Sequence, residues 1–336
     1  MKRRSFLKGI GAAATTTPFA GCTAISRKNK YMNYVPKGTI SRRTLGNTGM
    51  QASILGFGSH LKKELIADPE LRDRLIKLGY EGGINIFDVY DHSGYKQFKP
   101  MGKSLKGFRK EVLVSLCIVK STEDMQEEIN GALGDFFTDY IDLYRLYTVN
   151  DDRINILEKN KKAGKIRAIG VVSHDVPTMK KYIDQYGDVL DYVMIVYNFH
   201  HNIGSYAAKK GYPPNDYTAL LPLIERTGLG VLGIKPMGSD AMIALARKKK
   251  FFKDRNANVA QAMLRHVYEK VEIDTAMPAM NSMEEVVKNL ESAYNPKLSS
   301  YEKGLLTSLS STASSTKSAY LPEHYKWLEN WTTRVV

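Results

Sequence analysis

Gly83-Ile84-Asn85-Ile86-Phe87-Asp88-Val89-Tyr90-Asp91-His92-Ser93-Gly94-Tyr95 changes character at a single residue. Ile84, Ile86 and Phe87 form a short apolar run with strong β preference, and Asp88 closes it with a carboxylate. The loop beyond carries Tyr90, Asp91, His92, Ser93 and Tyr95. This is the pattern of a buried strand that delivers polar side chains at its C-terminal end, the place where parallel sheets, open or closed, build active sites. The other reading, in which Asp88 caps a following helix and the tyrosines only pack, stays open on this stretch alone.

Working outward, residues 42–50 place Gly46-Asn47 and Gly49 between apolar residues, which predicts a turn between two short strands. Residues 54–58 read as a strand, and residues 69–82 as a helix with Leu71, Leu75 and Leu78 on one face. After the 84–88 strand the same alternation continues. Helix is predicted over 97–106, a buried strand over 112–117, and a helix capped by Ser121 or Thr122 with Met125, Ile129 and Leu133 as its apolar stripe. Strands over 140–147, 166–172, 192–197, 230–235 and 273–277 are separated by helices over 154–163, 176–186, 217–227, 258–270 and 282–293, with one further helix after 235. Eight strands alternating with helices predict a (β/α)8 TIM barrel over residues 40–298, followed by a C-terminal helix and aromatic tail over 299–336. No GxGxxG follows the first strand, which argues against a Rossmann domain.

The 336 residues, 43% hydrophobic and 25% charged, suit one such barrel with a large core. The net charge of +14 is scattered rather than gathered into an arm or a nucleic-acid motif, so a basic solvated surface and no nucleic-acid partner are expected. Residues 1–39 read as an export signal and linker. Met1-Lys2-Arg3-Arg4-Ser5-Phe6-Leu7-Lys8 resembles the twin-arginine export signal, which implies passage through the twin-arginine machinery as a folded protein. Phe19-Ala20-Gly21-Cys22 resembles a lipoprotein cleavage box. Cys22 then carries a lipid anchor, or is a bystander to ordinary signal cleavage nearby. The expected location is periplasmic or membrane-anchored. Cys117, within an apolar run, is read as a small core residue rather than a reactive thiol. No cysteine or histidine spacing fits a metal site.

Several predicted strands end in polar groups on what becomes one barrel face: Asp88, Tyr147, Ser173 with His174, Asn198 and Lys235. Convergence of this kind is the argument for a site that takes a small-molecule substrate. Beside them stand Arg43-Thr44-Leu45-Gly46-Asn47-Thr48-Gly49, Met101-Gly102-Lys103-Ser104-Leu105, Tyr140-Ile141-Asp142-Leu143-Tyr144, Gly164-Lys165-Ile166-Arg167-Ala168-Ile169-Gly170-Val171 and Gly230-Val231-Leu232-Gly233-Ile234-Lys235-Pro236-Met237. With these motifs in this order, residues 40–293 resemble the aldo/keto reductase family.

The resemblance implies an oxidoreductase that binds NADP or NAD across the barrel mouth. The family's quartet is Asp, Tyr, Lys and His, in which the Tyr protonates the carbonyl oxygen as hydride arrives. Asp88 matches the Asp. The Tyr position falls on Ser93, leaving Tyr90 or Tyr95 on a shifted loop, the Lys position falls on or near Cys117 with Lys120 the closest lysine, and the His position falls on Tyr147. The quartet is thus eroded, and proton handling is assigned to Asp88 with Tyr90, Tyr95 or Tyr147, His92 being an alternative acid or base. For the cofactor the resemblance implies Ser173 and His174 at the carboxamide, Asn198 among the cofactor-binding residues, Lys235, Met237 and Gly238 at the pyrophosphate, and Glu285 and Asn289 at the adenine side. Asn281 replaces the family's arginine for the 2′-phosphate. A reading of a different class is a non-redox exported barrel, a pseudoenzyme or ligand-binding protein, whose long loop over 199–217 contacts a carbohydrate or protein. A third is another reaction run by His92, His174 or His200.

Overall fold

The computed structural model describes residues 31, 33–58, 68–91, 96–118, 121–174, 176–200, 217–238, 240–251 and 258–315. Met1–Val35 and Pro36–Val336 form separate compact units. His92, Ser93, Tyr95, Lys120, Cys22, most of the 199–217 loop and the aromatic tail lie outside the described residues.

Strands β1 (Arg42–Thr44) and β2 (Gln51–Ser53) pair antiparallel through a 3-10 turn at Gly46–Thr48, the predicted hairpin. Gly46 sits at φ 46, and a Cβ there would lie 2.2 Å from the Gly230 nitrogen, so both conformation and space demand glycine. The sheet that follows is parallel, in the order β3 (Ile86–Tyr90), β4 (Leu113–Ile118), β5 (Ile141–Leu146), β6 (Ile166–Val172), β7 (Tyr192–Val196), β8 (Gly230–Ile234) and β9 (Thr275–Met277). The predicted strand at 54–58 supplies the missing eighth member. The Gly56 amide donates to Ala276 on one side, while the Phe57 amide donates to Ile86 and accepts, at its carbonyl, from Asp88 on the other. That segment joins the last strand to the first and brings the ring to near closure.

Helices α1 (Pro69–Glu81), α2 (Phe98–Leu105), α3 (Met125–Asp135), α4 (Asp151–Lys162), α5 (Val176–Tyr186), α6 (Leu221–Thr227), α7 (Asp240–Lys248), α8 (Val259–Glu269), α9 (Met283–Tyr294) and α10 (Ser300–Ser315) lie between and after the strands. Two predicted starts are corrected. Neither Ser121 nor Thr122 caps α3, which begins at Met125 without a side-chain cap. The Ser121 hydroxyl donates to the Asp124 carboxylate instead, and Thr122 Oγ1 accepts from Arg153 Nε, so both hydroxyls are engaged elsewhere. The helix expected over 217–227 opens as a 3-10 turn at Tyr217–Leu220 and becomes α-helical only where Pro222 occupies its first turn.

One device recurs at the N-terminal end of the barrel. Asn85 Oδ1 accepts the Ser53 amide at 2.7 Å, Asp142 Oδ2 the Val114 amide at 3.0 Å, Asp191 Oδ2 the Ile169 amide at 2.7 Å and Asp274 Oδ2 the Val231 amide at 2.7 Å. In each case a side chain at the start of one strand holds the backbone of the strand before it, every second strand around the ring. Buried Asp142 is balanced in turn by Arg109 at 3.0 Å and Arg167 at 2.6 Å. Polar groups at this end are thus tied up in holding strands together, which leaves the opposite end for chemistry.

Candidate active site

The polar groups of the C-terminal end form two tiers, set by the two-residue period of the strands. In the lower tier the Asp88 carboxylate, 2% exposed, takes a fork of two bonds from Arg145, Nη1 to Oδ1 at 2.5 Å and Nη2 to Oδ2 at 3.1 Å. Ser115 Oγ donates to the same Oδ1 at 2.7 Å and accepts from Arg145 Nη1 at 2.8 Å. Burial is the largest single influence on Arg145 and opposes its charge, but Asp88, Cys117 and Tyr192 together outweigh it, and the guanidinium is held above its ordinary range. A buried pair of this bidentate geometry is neutral as a unit and rigid.

Arg145 was not among the candidate residues, yet its signal was present. In β5, Leu143 faces the barrel core, and Arg145 shares its parity two residues on. An arginine on the inward parity of a wholly buried strand demands a buried anion. Asp88 is that anion.

Above this pair, Tyr90, Tyr147 and Ile234 pack against core residues that include Cys117, Val172, Met194 and Met277. Cys117 is buried, and burial pushes its thiol up to about 11 against the opposing pull of Arg145. It is protonated and small, as the apolar run implied.

The rim brings together residues distant in sequence. Tyr147 Oη lies 3.4 Å from His174 Nδ1, with the two rings tilted at 49°. Burial, and after it Cys117, holds the Tyr147 phenol well above the ordinary tyrosine range. Burial, reinforced by the positive charge of Lys235, drives His174 down to about 3, so its imidazole is neutral, and its tautomer sets whether Nδ1 donates to the Tyr147 oxygen or accepts from it. Lys235 is itself pulled down to about 8 by burial, although part of its surface stays open to solvent. Its backbone is left-handed, at φ 53, and its carbonyl accepts from Asn198 Nδ2 at 3.3 Å and from the Gly238 amide at 2.9 Å. Asn198 Oδ1 also accepts the His200 amide at 3.0 Å, and the Ser173 carbonyl accepts from Tyr217 Oη at 2.5 Å. Strand β6 therefore ends in a neutral imidazole, β7 in an oriented amide and β8 in an ammonium.

Other candidate residues stand apart. Met237 packs with Phe199 and Met242 in an apolar cluster that α10 completes with Leu306 and Leu309. At the start of α9 the Ser282 hydroxyl accepts the Glu285 amide at 3.2 Å, and Glu285 Oε2 accepts the Asn281 amide at 2.6 Å. This is a capping box with a carboxylate at the helix N-terminus. Asn289, one turn on, is buried.

A (β/α)8 barrel with a polar mouth at the C-terminal ends of its strands is the architecture of an enzyme class in which loops and strand ends set the chemistry. The model of the aldo/keto reductase family matches residues 55–311, and the chain belongs to that family. L-galactose dehydrogenase of Arabidopsis thaliana is 25% identical over 221 residues, which span 59% of this chain and 66% of that protein. The holo form of an aldo-keto reductase from Bacillus halodurans superposes with a TM-score of 0.65 at 20% identity, over 85% of this chain and 99% of that one. An aldo-keto reductase from Klebsiella pneumoniae in complex with NADPH gives a TM-score of 0.60 at 18% identity, over the same 85% and 99%.

Proposed function

We propose that the protein is an exported oxidoreductase of the aldo/keto reductase type that uses NAD or NADP to interconvert a small carbonyl compound and its alcohol. The observation that carries this is the Tyr147–His174 contact in the mouth, beside the charge of Lys235 and above the Asp88–Arg145 pair. Family membership supports the reaction class, and a relative named for L-galactose supports a hydroxy-carbonyl substrate.

The residues present fit a nicotinamide dinucleotide. Neutral His174 would face the carboxamide and the Lys235 ammonium the pyrophosphate, beside left-handed Gly238, where a Cβ would lie 3.1 Å from Met242. When bound, the cofactor supplies or accepts a hydride at the substrate carbon. Tyr147 supplies the proton to the substrate oxygen, having taken over this task where the family's tyrosine position falls on Ser93 and its lysine position on Cys117. In the Nδ1–H tautomer His174 donates to the phenol oxygen and leaves the phenol's own proton for the substrate, and Lys235 bears on His174. Asp88, paired with Arg145, holds the floor of the site in register.

At the adenine end, Asn281 offers no cation to a 2′-phosphate and Glu285 sets a carboxylate close by. Isothermal calorimetry on the mature protein is therefore expected to show micromolar NADH and at least tenfold weaker NADPH. Absence of binding by either at millimolar concentration, in folded protein, would remove the oxidoreductase reading.

The twin arginines Arg3-Arg4 and the Cys22 box support export, followed by a periplasmic location or a lipid anchor. Arg3→Lys/Arg4→Lys is expected to retain the chain in the cytoplasmic fraction, and Cys22→Ser to release it from the membrane fraction. An unchanged distribution of both variants would contradict the assignment.

A further inference from the structure

We propose that the N-terminal end of the barrel, opposite the mouth, rests on an anionic lipid surface, with Phe137 entering the headgroup layer among cationic side chains. This goes beyond the oxidoreductase reading and needs neither a dinucleotide nor a lipid on Cys22.

The first observation is where apolar surface is left open. Among the described residues of the barrel unit, the exposed large apolar side chains are Phe137, Val271 and Tyr301. Phe137 precedes β5, Val271 precedes β9, and Tyr301 lies in the first turn of α10, just after α9 has returned to the N-terminal end. All three are thus at the end away from the mouth. Apolar and aromatic side chains gathered at one end of a fold are the usual anchors at a membrane surface. Several strands separate them from one another, and a fluid layer can close over each ring separately where a rigid partner cannot.

The second is the backbone of Phe137. Helix α3 ends in a Schellman motif, with the Phe137 amide donating to Gly134 at 3.2 Å and the Thr138 amide to Leu133 at 3.1 Å. The left-handed position of that motif ordinarily belongs to glycine, yet here it holds a phenylalanine at φ 51 that is 51% exposed. This residue is unfavourable twice in the free protein, through its backbone and through its exposed ring. Burial of the ring in lipid removes the second penalty.

The third is charge. Lys106 Nζ stands 5.1 Å from the centre of the Phe137 ring, and the guanidinium groups of Arg109 and Arg167 lie over Tyr140 at 5.0 and 5.7 Å. Residues 106–112, 136–142 and 163–167 lead into three adjacent strands and carry five cations, Lys106, Arg109, Lys110, Lys165 and Arg167, against three carboxylates, Glu111, Asp139 and Asp142. On the side of β9, Arg42 and Lys297 share a cleft with Glu269, again with cations in excess. Phosphate headgroups complement such a surface. Few charges and single rings make a weak, salt-sensitive contact, which orients an anchored chain with its mouth toward solvent but does not hold an unanchored one through a salt wash.

The test is co-sedimentation of full-length Cys22→Ser protein with vesicles at about 50 mM salt, the variants all sharing the same residues 1–35. Partitioning onto vesicles of phosphatidylglycerol mixed with phosphatidylcholine is expected to exceed that onto phosphatidylcholine alone by about tenfold or more. Lys106→Glu/Lys110→Glu is expected to lose about tenfold of it. Phe137→Gly is expected to lose several-fold while its thermal midpoint stays level or rises, because glycine suits the left-handed position. Partitioning of either variant within about twofold of the parent overturns the proposal. So does a change from dimer to monomer on Phe137→Gly in analytical ultracentrifugation, which would make this face a contact between copies of the chain. Cofactor calorimetry reads the oxidoreductase assignment separately, so failure of one is not failure of the other.

Discussion

Replacing Arg145 by methionine is expected to destabilise the barrel by about 3–5 kcal/mol, because Asp88 would be left as a buried, uncompensated charge. The arithmetic favours this over a mild effect. Asp88 loses both arms of the guanidinium fork and keeps only the Ser115 hydroxyl, which also loses its own donor from Arg145. Since neither side chain of the pair exceeds 4% exposure, little water is at hand to replace those bonds. Asp88→Leu is expected to cost a comparable amount, since it strands the guanidinium. The double variant Asp88→Leu/Arg145→Met removes both charges together and is expected to recover most of the loss, as buried pairs replaced by apolar groups commonly do. Urea denaturation of the four proteins gives the coupling energy directly. If Arg145→Met unfolds within 1 kcal/mol of wild type, the pair does not hold the barrel floor, and that floor has to be reassigned.

The same pair shows where reading the sequence stops. The alternation of strands and helices was legible from hydrophobic period, including the irregular 54–58 segment that closes the ring, because burial imposes its pattern residue by residue. Polar residues at strand ends were legible for the same reason. Arg145 was hidden in an otherwise apolar run, and its meaning depends on Asp88, 57 residues away and two strands over. The clasp of Asn85, Asp142, Asp191 and Asp274 was equally silent, since each partner is a backbone amide in another strand and a backbone amide leaves no trace in composition. Ser121 and Thr122 look like helix caps locally, yet the Ser121 hydroxyl goes to Asp124 three residues on, and Thr122 is taken by Arg153 from 31 residues away. Tyr147, His174 and Lys235 were each singled out, but under separate roles. Their meeting is a consequence of barrel closure and not of spacing.

That meeting makes Tyr147→Phe the most severe functional change expected. The kcat for reduction of a probe such as 4-nitrobenzaldehyde is expected to fall by about 10²–10⁴, the usual worth of a positioned proton donor, while dinucleotide affinity stays within about twofold. Among its neighbours, His174 loses its second proton near 3 and is neutral at any working pH, and Cys117 is a buried thiol below the mouth. Tyr147 itself, held above the ordinary tyrosine range, keeps its proton throughout, so the pH dependence has to come from its surroundings. Lys235 is charged below about 8 and loses that charge as pH rises through it. Below that value the ammonium favours binding of the anionic dinucleotide, and above it this support is gone. The expected profile for wild-type reduction is therefore level from about pH 6 to 7.5 and falling above 8. Lys235→Met is expected to be slower at neutral pH and to lack the fall. Retention of kcat within threefold by Tyr147→Phe would shift the proton donor to the 92–95 loop, and a wild-type profile rising through pH 8 would show that Lys235 acts in reduction as an amine and not as an ammonium.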